Sequence, residues 1–308
     1  MRLLLLGANG QVGFELIEHL APLGDLVSAT RSGVLPGMVP CTTVDLSVPG
    51  SASAAILRLR PDCVVNAAAY TAVDKAEDEP GIALRANGDA LAEIGQAGNA
   101  IDALVVHYST DYVFPGDGVA PYREDDPTGP VSVYGRSKLA GEQALAASGV
   151  AHLIFRTAWV YGARGHNFLR TMLRLARERD ELKVVDDQRG APTPATLIAA
   201  ATAQAIAQWR RGDEDERAVV NGIHHLTSSG ETTWCGFARA IFERATTAGL
   251  VARAPRVHAI GSDEFPAKAK RPAYSVLDGS RLRQRFGLHL PAWEKGLDRV
   301  IAELADRA

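Results

Sequence analysis

Hydrophobic and polar positions alternate between two rhythms over the first half of the chain. Short, nearly continuous apolar runs fall at residues 2–6, 26–29, 42–44, 63–67, 104–108 and 153–156. Between them, at 12–20, 51–59, 82–97 and 136–147, apolar residues recur at helical spacing. Apolar strands without alternation, separated by helices, predict a parallel sheet covered on both faces. The fold class is therefore α/β, a Rossmann-type doubly wound sheet.

The second half is more mixed. A helix is expected at 168–179, and another ending near 211. The charged run "RRGDEDER" reads as an exposed loop. "GIHHLTSSGETTWCGFARAIF" reads as a strand, a capped turn and a helix, with residues 231–233 in the helix's first turn. Two parts follow: residues 1–156, mainly a dinucleotide-binding domain, and 157–308, mainly a smaller α/β substrate domain. Some segments of the second part are expected to return to the first sheet.

Composition narrows the function class. The net charge is −3, which gives no electrostatic case for nucleic acid or an anionic membrane. Three scattered cysteines, Cys41, Cys63 and Cys235, show neither metal spacing nor a disulfide framework. The apolar run Leu3–Leu6 is too short for a signal peptide. A cytoplasmic protein without a membrane span is expected. His107, His152, His166, His224 and His225 have no ligand spacing and read as structural.

Two stretches carry chemistry. In "LLLLGANGQVGFELIEHL", Gly7, Gly10 and Gly13 form G-x-x-G-x-x-G between a strand and an amphipathic helix. Glycines there allow a tight turn, close approach to a pyrophosphate and close helix–strand packing. The helix start offers unpaired N–H groups to the anion. No acid follows the second strand to bond a ribose 2′-hydroxyl; Arg31 and Ser32 stand there, and an arginine suits a 2′-phosphate. NADP(H) is therefore expected, with NAD(H) as a second option. In "SVYGRSKLAGEQ", Tyr134 and Lys138 lie four residues apart, on one face of a helix. A lysine ammonium beside a phenol would lower its pKa from about 10 and fit it for proton transfer. Thr110 closes the fifth strand, and ligands in such sheets lie beyond the carboxyl ends of the strands. Thr110 and Tyr134 would then meet near a nicotinamide, with Ala67, Ala68 and Ala69 letting the chain pass close to the cofactor.

These motifs, with N-A-A-A and S-T-D in order, resemble the extended short-chain dehydrogenase/reductases. Six further stretches resemble one group within them, the dTDP-4-dehydrorhamnose reductases. They are "STDYVFPGDG", "YGRSKLAGE", "FRTAWVYG" with "NFLRTMLRLA", "VVDDQRGAPTPA", "HLTSSGETTW" and "RPAYSVLD". The resemblance implies NAD(P)H-dependent reduction of the C4 ketone of a nucleotide-linked deoxysugar. Tyr134 would be the proton donor, Lys138 would hold the nicotinamide ribose and Thr110 would orient the carbonyl. Asn9, Gln11, Val12, Asp45 and Leu46 would join the cofactor site. Val73, Asp111, Tyr112 and Trp159 would line the sugar site, the last through its flat apolar face. Asn167, Gln188, Pro192 and Thr193 would lie near the nucleotide diphosphate, and Arg271 would pair with it, with Lys268 and Lys270 nearby.

Related dehydratases carry Asp-Glu after Ser-Thr, whereas here Tyr112 follows Asp111, so elimination chemistry is not expected. Some relatives hold magnesium at a dimer interface. Glu15 matches one of their acids, but Thr196 stands where another is expected and Pro194 replaces a glycine. No metal site is assigned, and the chain is expected to be a monomer or homodimer. Two other functions fit the same motifs. One is a reductase or epimerase of another nucleotide 4-ketosugar. The other is a non-catalytic, NADP-binding regulatory subunit.

Overall fold

The computed structural model describes residues 1–307. Its centre is a seven-stranded parallel sheet made of β1 (Arg2–Leu6), β2 (Asp25–Thr30), β3 (Thr42–Thr43), β4 (Cys63–Asn66), β5 (Leu104–Thr110), β6 (His152–Thr157) and β7 (Gly222–His225). The spatial order is β7-β6-β5-β4-β1-β2-β3, with every neighbouring pair parallel. The chain reverses direction across the sheet between β1 and β4. Such a switch point opens a crevice beyond the strand ends.

The run of leucines in β1 has a direct cause. Leu3 and Leu5 point into one core, with Leu16, Leu20, Ile198 and Ile206. Leu4 and Leu6 point into another, with Ile56, Leu91, Ile94 and Leu145. A strand buried on both faces has no polar side to show. The first core lies beneath α1 (Gln11–Leu20) and the helix Ala195–Arg211; the second lies beneath Ser51–Leu59, Ala90–Asn99 and α2 (Val133–Ala147). A third core, around Tyr161, Leu169, Phe237 and Trp293, belongs to the second half of the chain. There, Glu181–Val185 pairs in parallel with Arg256–Ile260. Among the described residues no helix is long and apolar enough to cross a membrane.

Three local expectations are corrected. The helix at 82–97 is broken by a π-helical turn, Arg85–Asp89. Asn87 causes the break: its side chain bonds the N–H and C=O of Tyr70 and the hydroxyl of Ser137 on α2. Its carbonyl presses on α2 at Gly141, where a Cβ would stand 2.0 Å from it. Secondly, "RRGDEDER" is not all loop, because a helix begins at Glu214 and runs to Val220. Asp213 accepts the N–H of Glu216, whose carboxylate accepts the N–H of Asp213 in return, a capping box. Thirdly, residues 231–233 precede their helix. Thr232–Thr233 pairs with Arg189–Gly190, and Thr233 caps a helix that starts at Trp234.

Candidate active site

The glycine-rich turn joins β1 to α1. Gly7 has φ of +77°, and a Cβ on it would lie 2.6 Å from the backbone nitrogen of Ala68. Gly13 serves packing: a Cβ there would strike the carbonyl of Gly7 at 2.1 Å. The N-cap residue Gly10 has no side chain to bond the first-turn N–H groups. They face an open cavity of about 690 Å³. A phosphate fits a helix start with this vacancy and this partial positive charge.

Asn9, Gly10, Gln11 and Val12 line that cavity, and so do Arg31, Asp45, Leu46, Ala67, Ala68 and Ala69. Tyr134 and Lys138 close its inner end. Ser32 does not line it; the Ser32 hydroxyl donates to Val34 O and shapes the turn that presents Arg31. Arg31 is exposed at the rim. These residues fit an NADP(H)-sized ligand, with a phosphate on the turn and a second anionic group within reach of Arg31.

Tyr134 stands in hydrogen-bond reach of Thr110 and shares the cavity lining with Lys138, but the electrostatics differ from the expectation. Thr110, at the end of β5, donates from Oγ1 to Asp111 Oδ1 at 2.9 Å and accepts the N–H of Tyr112. Tyr134 lies in the first turn of α2, which Ser132 caps, and the Tyr112 ring meets it edge-on at 5.8 Å. The expected acidification of Tyr134 by Lys138 is absent. Burial and then the Asp111 carboxylate push the phenol up to about 12, against the Thr110 hydroxyl. The reason is where the lysine points: Lys138 Nζ donates to Tyr108 O at 2.6 Å and sits 3.0 Å from His107 Nε2, beneath the site. Burial pushes Lys138 down to about 8, against the pull of Glu142. Burial also lifts Asp111 to about 6, against bonds from Ser275 and Thr110.

A larger cavity, about 1060 Å³, lies in the second half of the chain, lined by Phe168, Lys183, Gln188, Trp234, Lys268, Lys270 and Arg271. Arg271 bonds Asp74 Oδ2 at 2.8 Å, and its Nη1 is buried without a partner. Asp74 is the neighbour of Val73 in the short helix Val73–Ala76. Gln188 accepts from Trp234 Nε1 and donates to Ser262. Trp159, held at φ of +48°, stacks on Trp234 with ring centroids 3.6 Å apart. One face of Trp159 is thus already covered. Asn167 caps the helix Phe168–Glu178 and donates to Gln11 Oε1, Gly162 O and Arg164 O, tying that helix to the cofactor turn. Pro192 is buried and lines neither cavity.

Known proteins resemble this chain over nearly their whole length. The family described as RmlD substrate binding domain matches residues 1–306. The dTDP-4-dehydrorhamnose reductase of Escherichia coli K12 is 46% identical over 99% of this chain and 98% of its own length. That of Burkholderia thailandensis is 46% identical over 99% of each. The solved dTDP-4-dehydrorhamnose reductase of Bacillus anthracis, in complex with NADP, superposes with a TM-score of 0.86. It is 33% identical over 98% of this chain and 99% of that one.

The chain belongs to the dTDP-4-dehydrorhamnose reductase family.

Against that family, three residues of this site escaped the sequence reading. Trp234 covers Trp159 and reaches the larger cavity; it ends the stretch "HLTSSGETTW", to which the sequence assigns no role for the tryptophan. Asp74 is the partner of Arg271, almost two hundred positions away in sequence, so no local signal exists for the pair. His107, taken as structural, touches Lys138. Its position in the strand that ends at Thr110 was the available clue. Among the described residues no cluster of three His, Cys, Asp or Glu side chains could hold a metal ion. Burial and the Glu303 carboxylate raise the pKa of Glu15, the residue matched to a magnesium ligand.

Proposed function

We propose that the chain reduces the C4 ketone of dTDP-4-dehydro-β-L-rhamnose to give dTDP-L-rhamnose, using NADPH. The observation that carries this reading is that Tyr134 and Lys138 line the cofactor cavity with the Thr110 hydroxyl in hydrogen-bond reach of Tyr134, in a chain that matches this family from end to end. Residues 1–156 mainly hold the cofactor and 157–308 mainly the substrate.

NADPH bound in the smaller cavity supplies the hydride. Arg31 takes the 2′-phosphate; with NADH it has no such partner, so NADPH is preferred and NADH is the weaker alternative. Thr110 turns its hydroxyl from Asp111 to the substrate's C4 oxygen and holds it. Tyr134, kept protonated by desolvation and by the nearby Asp111 carboxylate, hands its proton to that oxygen as negative charge develops. A raised phenol pKa suits an acid that must keep its proton until the alkoxide forms. Lys138 fixes the ribose beside Tyr134. Asp111 and Tyr112 face the sugar, with Val73 and the free edge of Trp159.

The nucleotide lies along the larger cavity. Arg271, which lines this cavity, pairs with the diphosphate, with Lys268 and Lys270 nearby. Gln188 forms part of this wall, and Asn167 ties the adjoining helix to the cofactor turn. Tyr112, half-buried and with its pKa raised by desolvation, offers no base for removing water, which favours reduction over dehydration. A nucleotide-sugar substrate supports a cytoplasmic location.

The test follows NADPH absorbance with enzymatically prepared dTDP-4-dehydro-L-rhamnose and identifies the product. Wild type should yield dTDP-L-rhamnose. Tyr134→Phe should lose about 10²- to 10⁴-fold in kcat while binding NADPH normally. A Phe variant that turns over at the wild-type rate, or a different product, would refute the assignment.

A further inference from the structure

Lys138 sits at one end of a buried chain of hydrogen bonds whose direction can be read. Asn66 closes β4 and pairs in register with His107 of β5. Asn66 Oδ1 accepts the N–H of Ala68 at 3.1 Å, which fixes the amide's orientation. Its Nδ2 therefore faces His107 Nδ1, 3.2 Å away. Nδ1 must accept, so a neutral imidazole carries its proton on Nε2. That proton points at Lys138 Nζ, 3.0 Å away, and Nζ in turn donates to Tyr108 O. Each donor in the series Ala68, Asn66, His107, Lys138 finds an acceptor only if Nζ offers a lone pair. An ammonium would set N–H against N–H.

We propose that His107 is a positioning residue for Lys138, favouring the lysine's uncharged form and opposing its charged one. His107 is 1% exposed, and burial together with the Lys138 charge holds its own pKa well below the usual value, so the neutral ring is the relevant form. The other groups around Lys138 do not cancel the effect. Glu142, one turn along α2, favours the ammonium, but Arg156 of β6 binds both Glu142 oxygens. Tyr134 lines the cofactor cavity, and Asp111 is bonded to Thr110. Tyr134 is neutral below about 12, and Asp111 loses its proton near 6. Burial brings Lys138 down to about 8, where it can lose and regain a proton at near-neutral pH, and the Nε2–H of His107 acts in the same direction. The charged lysine supports reduction, so reduction should fail on the alkaline side as that proton is lost.

The kinetic test rests on the reductase reading; the spectroscopic one does not. In protein labelled with ¹⁵N-histidine, the His107 signals are those missing from His107→Leu. They should show a bare Nδ1 and a protonated Nε2 from pH 6 to about 9. In the pH profile of kcat/KM, Asn66→Asp reverses the chain: its carboxylate accepts from both Ala68 N–H and His107 Nδ1–H, leaving Nε2 to accept from the ammonium. The alkaline limb should move up by about one pH unit, about a tenfold gain at high pH. His107→Leu should move it in the same direction by less. An Nδ1–H tautomer would overturn the proposal even in a protein with no turnover. So would an unmoved limb in both variants, each folded and binding NADPH as wild type does.

Discussion

Asp111 is 2% exposed, and one of its oxygens, Oδ2, has no partner. Its pKa stands near 6, above the 3.8 of a free aspartate, mainly because burial disfavours the charge. The folded state therefore binds this proton more tightly than the unfolded chain. Stability falls as pH rises from about 4 to 6 and stays lower above that. Asp111→Asn removes the buried charge and keeps an acceptor for Thr110. At pH 7.5 it should stabilise the fold by about 1–3 kcal/mol, with little effect at pH 4, while raising KM for the ketosugar. Denaturant unfolding at the two pH values checks the sign; equal effects at both would contradict it. At this scale the sequence was legible where chemistry depends on spacing, as for Tyr134 and Lys138. It was not legible where the environment decides. The phenol is raised rather than lowered because burial outweighs a lysine that points elsewhere, and neither fact is local.

The element that carries the chemistry is α2, and a buried ion pair holds it against the sheet. Arg156 Nη2 meets Glu142 Oε2 at 2.7 Å, both side chains at most 3% exposed, with the Phe114 ring 5.0 Å from the guanidinium carbon. Removing one partner leaves a buried charge unpaired, so Glu142→Leu should cost about 3–5 kcal/mol. Glu142→Leu with Arg156→Met should recover most of it, since an apolar pair of similar volume carries no desolvation cost. Equal losses in the single and double variants, read from urea midpoints, would contradict this account. Most elements could be found by periodicity, with ends displaced by a residue or a few. The misreadings have specific causes. The turn at Arg85–Asp89 is set by Asn87 bonding Tyr70 and Ser137, which no period reveals. The Asp213 helix carried its own signal, D-x-x-E, obscured by a run of charge.

Across the molecule, the alternation of apolar runs and helices was enough to expect the doubly wound sheet, because each strand is buried on both faces. The chain order alone does not fix how far the second half returns. β7 joins that sheet next to β6, while Glu181–Val185 and Arg256–Ile260 pair elsewhere. The two cavities inherit this division: one follows the strand ends and the glycine turn, the other lies among Trp234, Lys183 and Arg271. The central claim is hydride delivery to C4 of a nucleotide-linked sugar from the first cavity while the second holds the nucleotide. Turnover of dTDP-4-dehydro-L-rhamnose with NADPH deuterated at the transferred position of its nicotinamide C4 tests it most directly. Deuterium at C4 of the product rhamnose, and at no other carbon, is the predicted result. Deuterium elsewhere on the sugar, or a product formed without it, would contradict the account.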